Sequence, residues 1–316
     1  MRFAIISDIH GNFPALSAVL EDAERNHIDS FIFAGDYCIG NPYPDECISK
    51  IRSLDKKYAI RGNEEQYLKY LIGDDQSTWT NGQFQISYYC YRKLREDNLN
   101  YVLSLPHQMK LIYNDITLHM AHSSEAFISD GEHRNWSSSK VAERYQDCFI
   151  TQDIFRADIH KSLNEDKQFQ EIFDRLENGV YIFGHSHIQW SYQSADGKKV
   201  LLNPGSCGLP LDCIKEGVPY TILNISENNA IVVEEKRVPF SMEEYIEALR
   251  QSDQFTEANV WSKVVMMELR TKRESISRFL HFAEKYAVEI GDAERPFSIS
   301  TWERAYKAWE NRIHGL

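Results

Sequence analysis

The chain is predicted to fold as an α/β protein whose functional residues gather at the ends of its strands. Short apolar runs break abruptly into Asp, Asn or His, amphipathic helical segments separate them, and this order recurs along the first 190 residues.

The opening run Phe3, Ala4, Ile5, Ile6 reads as a buried strand, and polar residues end it. Asp8 and His10 follow two apart, so extended backbone continuing to His10 would send both side chains from one face toward a single ion. Gly11 and Asn12 supply a turn. Pro14 suits the first turn of a helix that carries Leu16, Val19, Leu20 and Ala23 on one face. Phe31 to Ala34 forms the second strand and ends in Gly35-Asp36. After a loop with Asn41, Pro42 and Pro44, a helix through Cys47, Ile48 and Ile51 leads to strand Tyr58 to Ile60, which ends in Arg61-Gly62-Asn63-Glu64. Ligands of open parallel sheets collect beyond such carboxyl ends.

Residues 65–105 read as helical and tyrosine-rich, broken near Gly73, Asp74 and Asp75, and are expected to cover the site. Ile116 to Ala121 is a fourth strand that delivers His122. The polar interval from Ser123 to Asn178, with Arg134, Lys140, Arg144, Arg156 and Lys161, is expected to form a cap-like insertion. Val180 to Phe183 then ends in Gly184-His185-Ser186-His187. From Gln189 to Pro239 short strands are predicted, with a hairpin at Asp196-Gly197 and a second sheet in this region. Beyond Ser241 the spacing is helical. Ile276, Phe279, Leu280 and Ala283, and then Trp302, Ala305, Tyr306 and Trp309, form stripes that must be buried. The expected division is a domain over 1–240, holding the insertion at about 123–178, and a helical extension over 241–316 packed on that core or on the same extension of a second copy.

With 316 residues, 42% of them hydrophobic, the chain can bury a large core. A formal charge of −12 argues against long nucleic acids and anionic membranes as partners. No apolar stretch approaches the roughly 20 residues of a membrane helix. Six cysteines without a CxxC pair fit a reducing compartment, so a cytoplasmic protein is expected.

Collected, the strand ends present Asp8, His10, Asp36, Asn63, His122, His185 and His187. That set of nitrogen and oxygen donors is too rich for one ion and suits two divalent metals of the Mn, Fe, Zn, Co or Ni type. Two such ions can hold a bridging hydroxide and clamp a phosphoryl group. The expected reaction is hydrolysis of a phosphoester or phosphoanhydride.

The motifs D-x-H, G-D, G-N-E, a lone His and G-H-x-H, in this order, resemble the calcineurin-like metallophosphoesterase superfamily. S-D-I-H-G-N at the start and Asn203-Pro204-Gly205-Ser206 near the end are similar to its small bacterial and archaeal branch of phosphodiesterases and dinucleoside-polyphosphatase-like enzymes. The resemblance implies a four-layer α/β/β/α sandwich of two mixed sheets. It also implies one metal on Asp8, His10 and His187, a second on Asn63, His122 and His185, and Asp36 bridging, with manganese or iron favoured. Asp36, Asn63, Glu64 and His122 are then the catalytic candidates, and Asn12, Arg134, Lys140 and Arg144 the substrate-binding ones.

Two residues depart from the pattern. Glu64 stands where many relatives have a histidine general acid, and Ser123 follows His122 where a glycine is common. His119 competes with His122, but strand alternation puts it on the opposite face. An ionised Glu64 would be a poor proton donor, which favours phosphoanhydrides such as dinucleoside polyphosphates over alkyl phosphodiesters. The alternative is a cyclic-nucleotide or general phosphodiesterase or phosphomonoesterase. A scaffold on the same fold is disfavoured, because every ligand position is filled.

Overall fold

The computed structural model describes residues 1–72, 79–128, 136–146 and 148–314. Two five-stranded mixed sheets pack face to face between helices. The first has the order β10-β9-β1-β2-β3, from β1 (Arg2–Ile6), β2 (Ser30–Phe33), β3 (Lys57–Ala59), β9 (Val218–Ile225) and β10 (Ile231–Val238). Strands β1, β2 and β3 run parallel, while β9 pairs antiparallel with both β1 and β10. β1 is therefore central, and the Met1 ammonium donates to the Ile225 carbonyl.

The second sheet has the order β4-β5-β6-β8-β7: β4 (Gln108–Tyr113), β5 (Ile116–Ala121), β6 (Gly179–Ile182), β7 (Gln189–Gln193) and β8 (Lys199–Pro204). The hairpin expected at Asp196-Gly197 joins β7 to β8. The expected second sheet is only partly drawn from the region after Gln189, because β9 and β10 return to the first sheet.

Phe3, Ile5, Ile32, Leu118, Met120, Val180, Ile182, Val200, Leu202 and Leu223 fill the space between the sheets. The run Phe3 to Ile6 is continuous rather than alternating because both faces of β1 are covered. Phe3 and Ile5 face the second sheet, and Ala4 and Ile6 face helices. On that outer side lie α1 (Phe13–Arg25), α2 (Pro44–Ser53), α3 (Glu64–Leu71), α4 (Gln85–Lys93) and α5 (Glu96–Ser104). Most of residues 65–105 thus forms an outer layer, with α3 starting at the site. α6 (Ser138–Tyr145), α7 (Gln152–Glu165) and α8 (Lys167–Arg175) back the second sheet. Val141, Phe155, Ile159, Leu163, Phe169 and Phe173 pack there on Tyr181, Phe183, Trp190 and Tyr192. The insertion therefore serves mainly as the fourth layer of the sandwich.

The C-terminal segment folds as α9 (Met242–Arg250), α10 (Asp253–Glu257), α11 (Asn259–Thr271), α12 (Ile276–Glu289) and α13 (Ile299–His314). Its aromatic stripes are consumed within the chain, where Phe279 packs against Trp302, Tyr306 and Trp309. A second cluster joins Tyr245, Ile246, Leu249, Val265, Met266 and Leu269 to Leu209 and Leu211, on the loop after β8. Gln254 also donates to the Gly40 carbonyl. No helix among the described residues is long and apolar enough to cross a membrane.

Candidate metal centre

Asp8 and His10 converge for a different reason from the one strand geometry suggests. β1 stops at Ile6, and Asp8 (φ 53°) and His10 (φ 50°) both adopt left-handed backbone. Asp36, His185 and His187 do the same, at φ 53°, 69° and 61°. Asp and His tolerate this region better than bulkier residues, but each such position costs roughly 1–2 kcal/mol. Five strained positions at one cluster mark a site that the surrounding structure holds in shape.

The donors form two adjoining groups. Asp8, His10 and His187 make one, with Asp8 Oδ1 3.9 Å from His10 Nε2 and 3.5 Å from His187 Nε2. Asp36, His122 and His185 make the other, with Asp36 Oδ2 3.0 Å from His122 Nε2. His122 Nε2 is also 4.0 Å from Asp8 Oδ1, which links the groups. Asn63 Oδ1 lies 2.9 Å from His185 Nδ1, so Asn63 joins the second group. All seven expected ligands are thereby brought together. His119 is elsewhere, stacked on Tyr181 at 4.5 Å.

Tautomers show what the cluster is built to hold. His10 Nδ1 faces the Ile39 carbonyl at 2.8 Å, His187 Nδ1 faces that of Leu209 at 2.9 Å, and His122 Nδ1 faces that of Ala34 at 2.6 Å. A carbonyl only accepts, so each Nδ1 carries a proton, and each Nε2 offers a lone pair once its own proton is gone. The Nε2 atoms of His10 and His187 then meet at 3.1 Å. His122 Nε2 is buried against Asp36 Oδ2. Lone pairs converging beside carboxylates, each ring fixed by a backbone acceptor, are the arrangement of a metal site.

Electrostatics agree. Burial opposes charge on His10, but Glu64, Asp36 and Asp8 outweigh it and raise the imidazole to about 10. Burial likewise opposes charge on His122, yet Asp36 and Asp8 lift it to about 10. Asp36, despite its own burial, is held well below the usual carboxylate range by His122 and His10. Burial instead takes His187 down to about 4. The cluster attracts positive charge, and protons and divalent cations compete for the same lone pairs.

Supporting residues that the sequence reading passed over hold this shape. Glu65 is fully buried and accepts from the backbone N–H groups of Asp36, Tyr37 and Gly62, pinning the Asp36 loop to the start of α3. Ser206 Oγ donates to the Asp8 carbonyl, and Asn203 Nδ2 to that of Gly184. A Cβ at Gly184 would collide with Ser7 and Asp8, so only glycine lets β6 deliver His185 this close.

The expected substrate contacts fare differently. Asn12 is fully buried, capping α1 through Ala15 N and donating to Gly208, so it shapes the loop and does not face substrate. Lys140 pairs with Glu143, and Arg144 lies over the Trp136 ring at 4.3 Å. Neither lines a cavity at the metal centre, and Arg134 lies outside the described residues. From the insertion, Ser138 and Ser139 reach the cavity on the His10 side, while Ser123, Glu125 and Ala126 reach the one beside His122. Glu64 sits 3.0 Å from His10 Nδ1, and burial pushes its carboxyl up to about 7 against the pull of His10.

Two cavities meet at the centre. One, of about 350 Å³, is lined by His10, Asp36, Glu64 and His187 and walled by Trp261, Glu268 and Glu274 of the C-terminal helices. The other, of about 510 Å³, is lined by Arg61, Tyr67, Tyr70, His107 and His122. His185 and Asn63 border both.

Comparison with known proteins agrees with the cradle. The chain is 28% identical over 230 residues to an uncharacterized protein of Methanocaldococcus jannaschii, covering 67% of this chain and 79% of that one. In fold it is similar to a metallophosphoesterase from Sphaerobacter thermophilus, with a TM-score of 0.57, 24% identity and coverage of 86% of this chain and 99% of the other. A hypothetical protein from Pyrococcus horikoshii is similar at a TM-score of 0.55 and 15% identity, with coverage of 87% and 99%. Residues 1–189 match the family described as calcineurin-like phosphoesterase, and with that match over most of the chain this protein belongs to that family of metal-dependent, phosphoester-hydrolysing enzymes.

Proposed function

We propose that the protein is a dinuclear metal-dependent phosphodiesterase acting on a small organic phosphodiester. The observation that carries this reading is the set of imidazole nitrogens and carboxylates converging in two adjoining groups, linked where His122 Nε2 lies 4.0 Å from Asp8 Oδ1. Two divalent cations bound there would supply an activated water and neutralise charge on the phosphoryl oxygens. Asp8, His10 and His187 would hold one, and Asn63, His122 and His185 the other. Asp36 would lie between them, its Oδ1 already fixed by the Glu64 N–H at 3.0 Å. Manganese and iron suit these donors, as do zinc, cobalt and nickel.

The protein groups then position the ester. Cavities on both sides of the centre give room for a substituent on each side of the phosphorus, which suits a diester better than a monoester. Exposed Tyr67 and Tyr70 offer ring faces to a planar group such as a nucleobase. Glu64, at the floor of the smaller cavity, is placed to handle the proton of the leaving oxygen.

We rank dinucleoside polyphosphates below simple diesters. Burial raises the Glu64 carboxyl while bound cations would lower it, so a carboxyl at this position does not by itself exclude alkoxide leaving groups. Among the described residues no Lys or Arg lines the smaller cavity, and Arg61 in the larger one is engaged with the Leu103 carbonyl and His107. A polyphosphate tail would find little positive charge. The six cysteines are free thiols, in keeping with a cytoplasmic setting.

The test is to load the protein with manganese, count bound metal, and compare bis(4-nitrophenyl) phosphate, 4-nitrophenyl phosphate, cyclic nucleotides and dinucleoside polyphosphates. Two metals per chain with the highest kcat/KM on a diester is the expected result. A clear preference for the polyphosphate or the monoester would overturn the diester reading.

A further inference from the structure

The wall of the smaller cavity holds charge that the metal centre does not explain. Glu268, near the end of α11, is 1% exposed, and Glu274, just before α12, is 7% exposed. Each spends one oxygen on the first turn of α12. Glu268 Oε1 accepts from Ser275 N at 2.6 Å and Ile276 N at 2.8 Å, and Glu274 Oε1 accepts from Ser277 N at 2.6 Å. Capping one helix accounts for those atoms. It leaves Oε2 of both residues buried and unpartnered, along with Nε1 of neighbouring Trp261.

Two buried carboxyls side by side are costly, and no Lys or Arg among the described residues pairs with either. Burial and the proximity of Glu274 push Glu268 up to about 8, so near neutrality this carboxyl becomes fully charged only when a counter-ion joins it. Native structures seldom keep buried polar atoms idle without a role for them. The remaining lining is apolar and aromatic, from Leu209, Leu211, Ile276 and Trp261. A hydrated metal ion wants more oxygen ligands than two carboxyls and a greasy wall provide. An organic cation suits acids on one side and an indole on the other.

We propose that this end of the cavity is a subsite for an ammonium group on the substrate, so that the enzyme favours phosphodiesters of amino alcohols over neutral diesters. The proposal rests on the phosphodiesterase reading above and names the class of its substrate. The phosphate lies at the metal centre and the ammonium between Glu268, Glu274 and Trp261, all within one cavity of about 350 Å³. Charge at the two ends of such a substrate is then opposite, and so is the charge that the protein and its metals present to it.

The test uses full-length, manganese-loaded enzyme and two chromogenic diesters of equal shape: 4-nitrophenyl phosphocholine and 4-nitrophenyl 3,3-dimethylbutyl phosphate, which replaces the cationic nitrogen by carbon. We expect kcat/KM to be at least tenfold higher for the choline ester. That ratio should fall to about three or less in Glu268→Gln and in Glu274→Gln, substitutions that keep an oxygen for the capping bonds. The ethanolamine ester tells a primary ammonium from a quaternary one, and preference for either over the neutral ester supports the subsite. Binding is read separately, by titrating tetramethylammonium and following tryptophan fluorescence. Quenching that is lost in Trp261→Phe and weakened in both glutamate variants supports the subsite even if neither ester is cleaved, in which case the phosphodiesterase reading alone fails. Cleavage with a ratio near one, or a ratio unchanged in both glutamate variants, overturns the subsite.

Discussion

The two sides of the smaller cavity are built on different plans. Its floor comes from the ends of strands in both sheets, where His10, Asp36 and His187 are held by bent backbone and backbone acceptors. Its wall comes from helices α11 and α12, where Glu268, Glu274 and Trp261 keep unpartnered atoms. The floor's rings and loops are fixed by backbone bonds, and the wall keeps free polar atoms. Chemistry that must happen identically each turnover belongs on the former, and choice among substrates can be left to the latter.

Removing the wall altogether should have the largest effect. Truncation after Pro239 would expose Leu209 and Leu211 together with the outer faces of α2 and α4, and aggregated protein is the expected outcome. A soluble truncation with full activity on bis(4-nitrophenyl) phosphate would show that the floor stands alone.

Next in size is Asp36→Asn, which leaves the wall intact. A neutral amide between two cations offsets their repulsion poorly, so activity should fall by about a hundredfold or more while the circular dichroism spectrum is unchanged. Activity above a tenth of wild type, with both metals retained, would remove Asp36 from its central place.

Glu65→Gln separates holding the floor from forming it. The carboxylate accepts three backbone N–H bonds, and an amide keeps one acceptor oxygen while setting its own N–H groups against donors. A loss of about 1–3 kcal/mol in unfolding free energy is expected, with kcat lowered roughly tenfold and metal content near two. An unchanged melting temperature would end the positioning role.

The smallest effect is on pH dependence and belongs to the wall. Glu268 has a folded value of about 8, above the ordinary 4.5 of the unfolded chain. The folded state therefore holds the proton more tightly, and this group's contribution to stability is complete below about pH 4.5 and lost as pH rises through about 8. Glu268→Gln should flatten the decline in melting temperature between pH 5 and 8, and parallel profiles for the two proteins would contradict it.

The floor was legible in the sequence because each ligand follows an apolar run that announces a strand end. The reason for convergence was not, since alternation along extended backbone suggested what left-handed residues accomplish at Asp8 and His10. Glu65 was hidden beside Glu64, because the motif ends at Glu64 and nothing in the spacing tells a buried acid in the first turn of α3 from an exposed one. Strand β4 was missed although Met109, Leu111 and Tyr113 alternate with Gln108, Lys110 and Ile112. Least legible was the wall. Glu268 and Glu274 lie more than 80 residues beyond the last ligand motif, and a glutamate on an amphipathic helix reads as solvent-facing until tertiary packing covers it.

The central place of β1 also sets a timetable for synthesis. Met1 bonds Ile225 across 224 residues, and β1 gains its second neighbour only when β9 exists. At roughly 5–20 residues per second, ribosomes need about 11–45 s to add the residues that separate β1 from the end of β9. Through that interval the nascent chain has one long edge of its founding strand unpaired, with Asp8 and His10 already made but not yet enclosed. In that window the open strand edge is free to pair wrongly, so the yield of active enzyme should respond to translation speed more steeply than its equilibrium stability suggests.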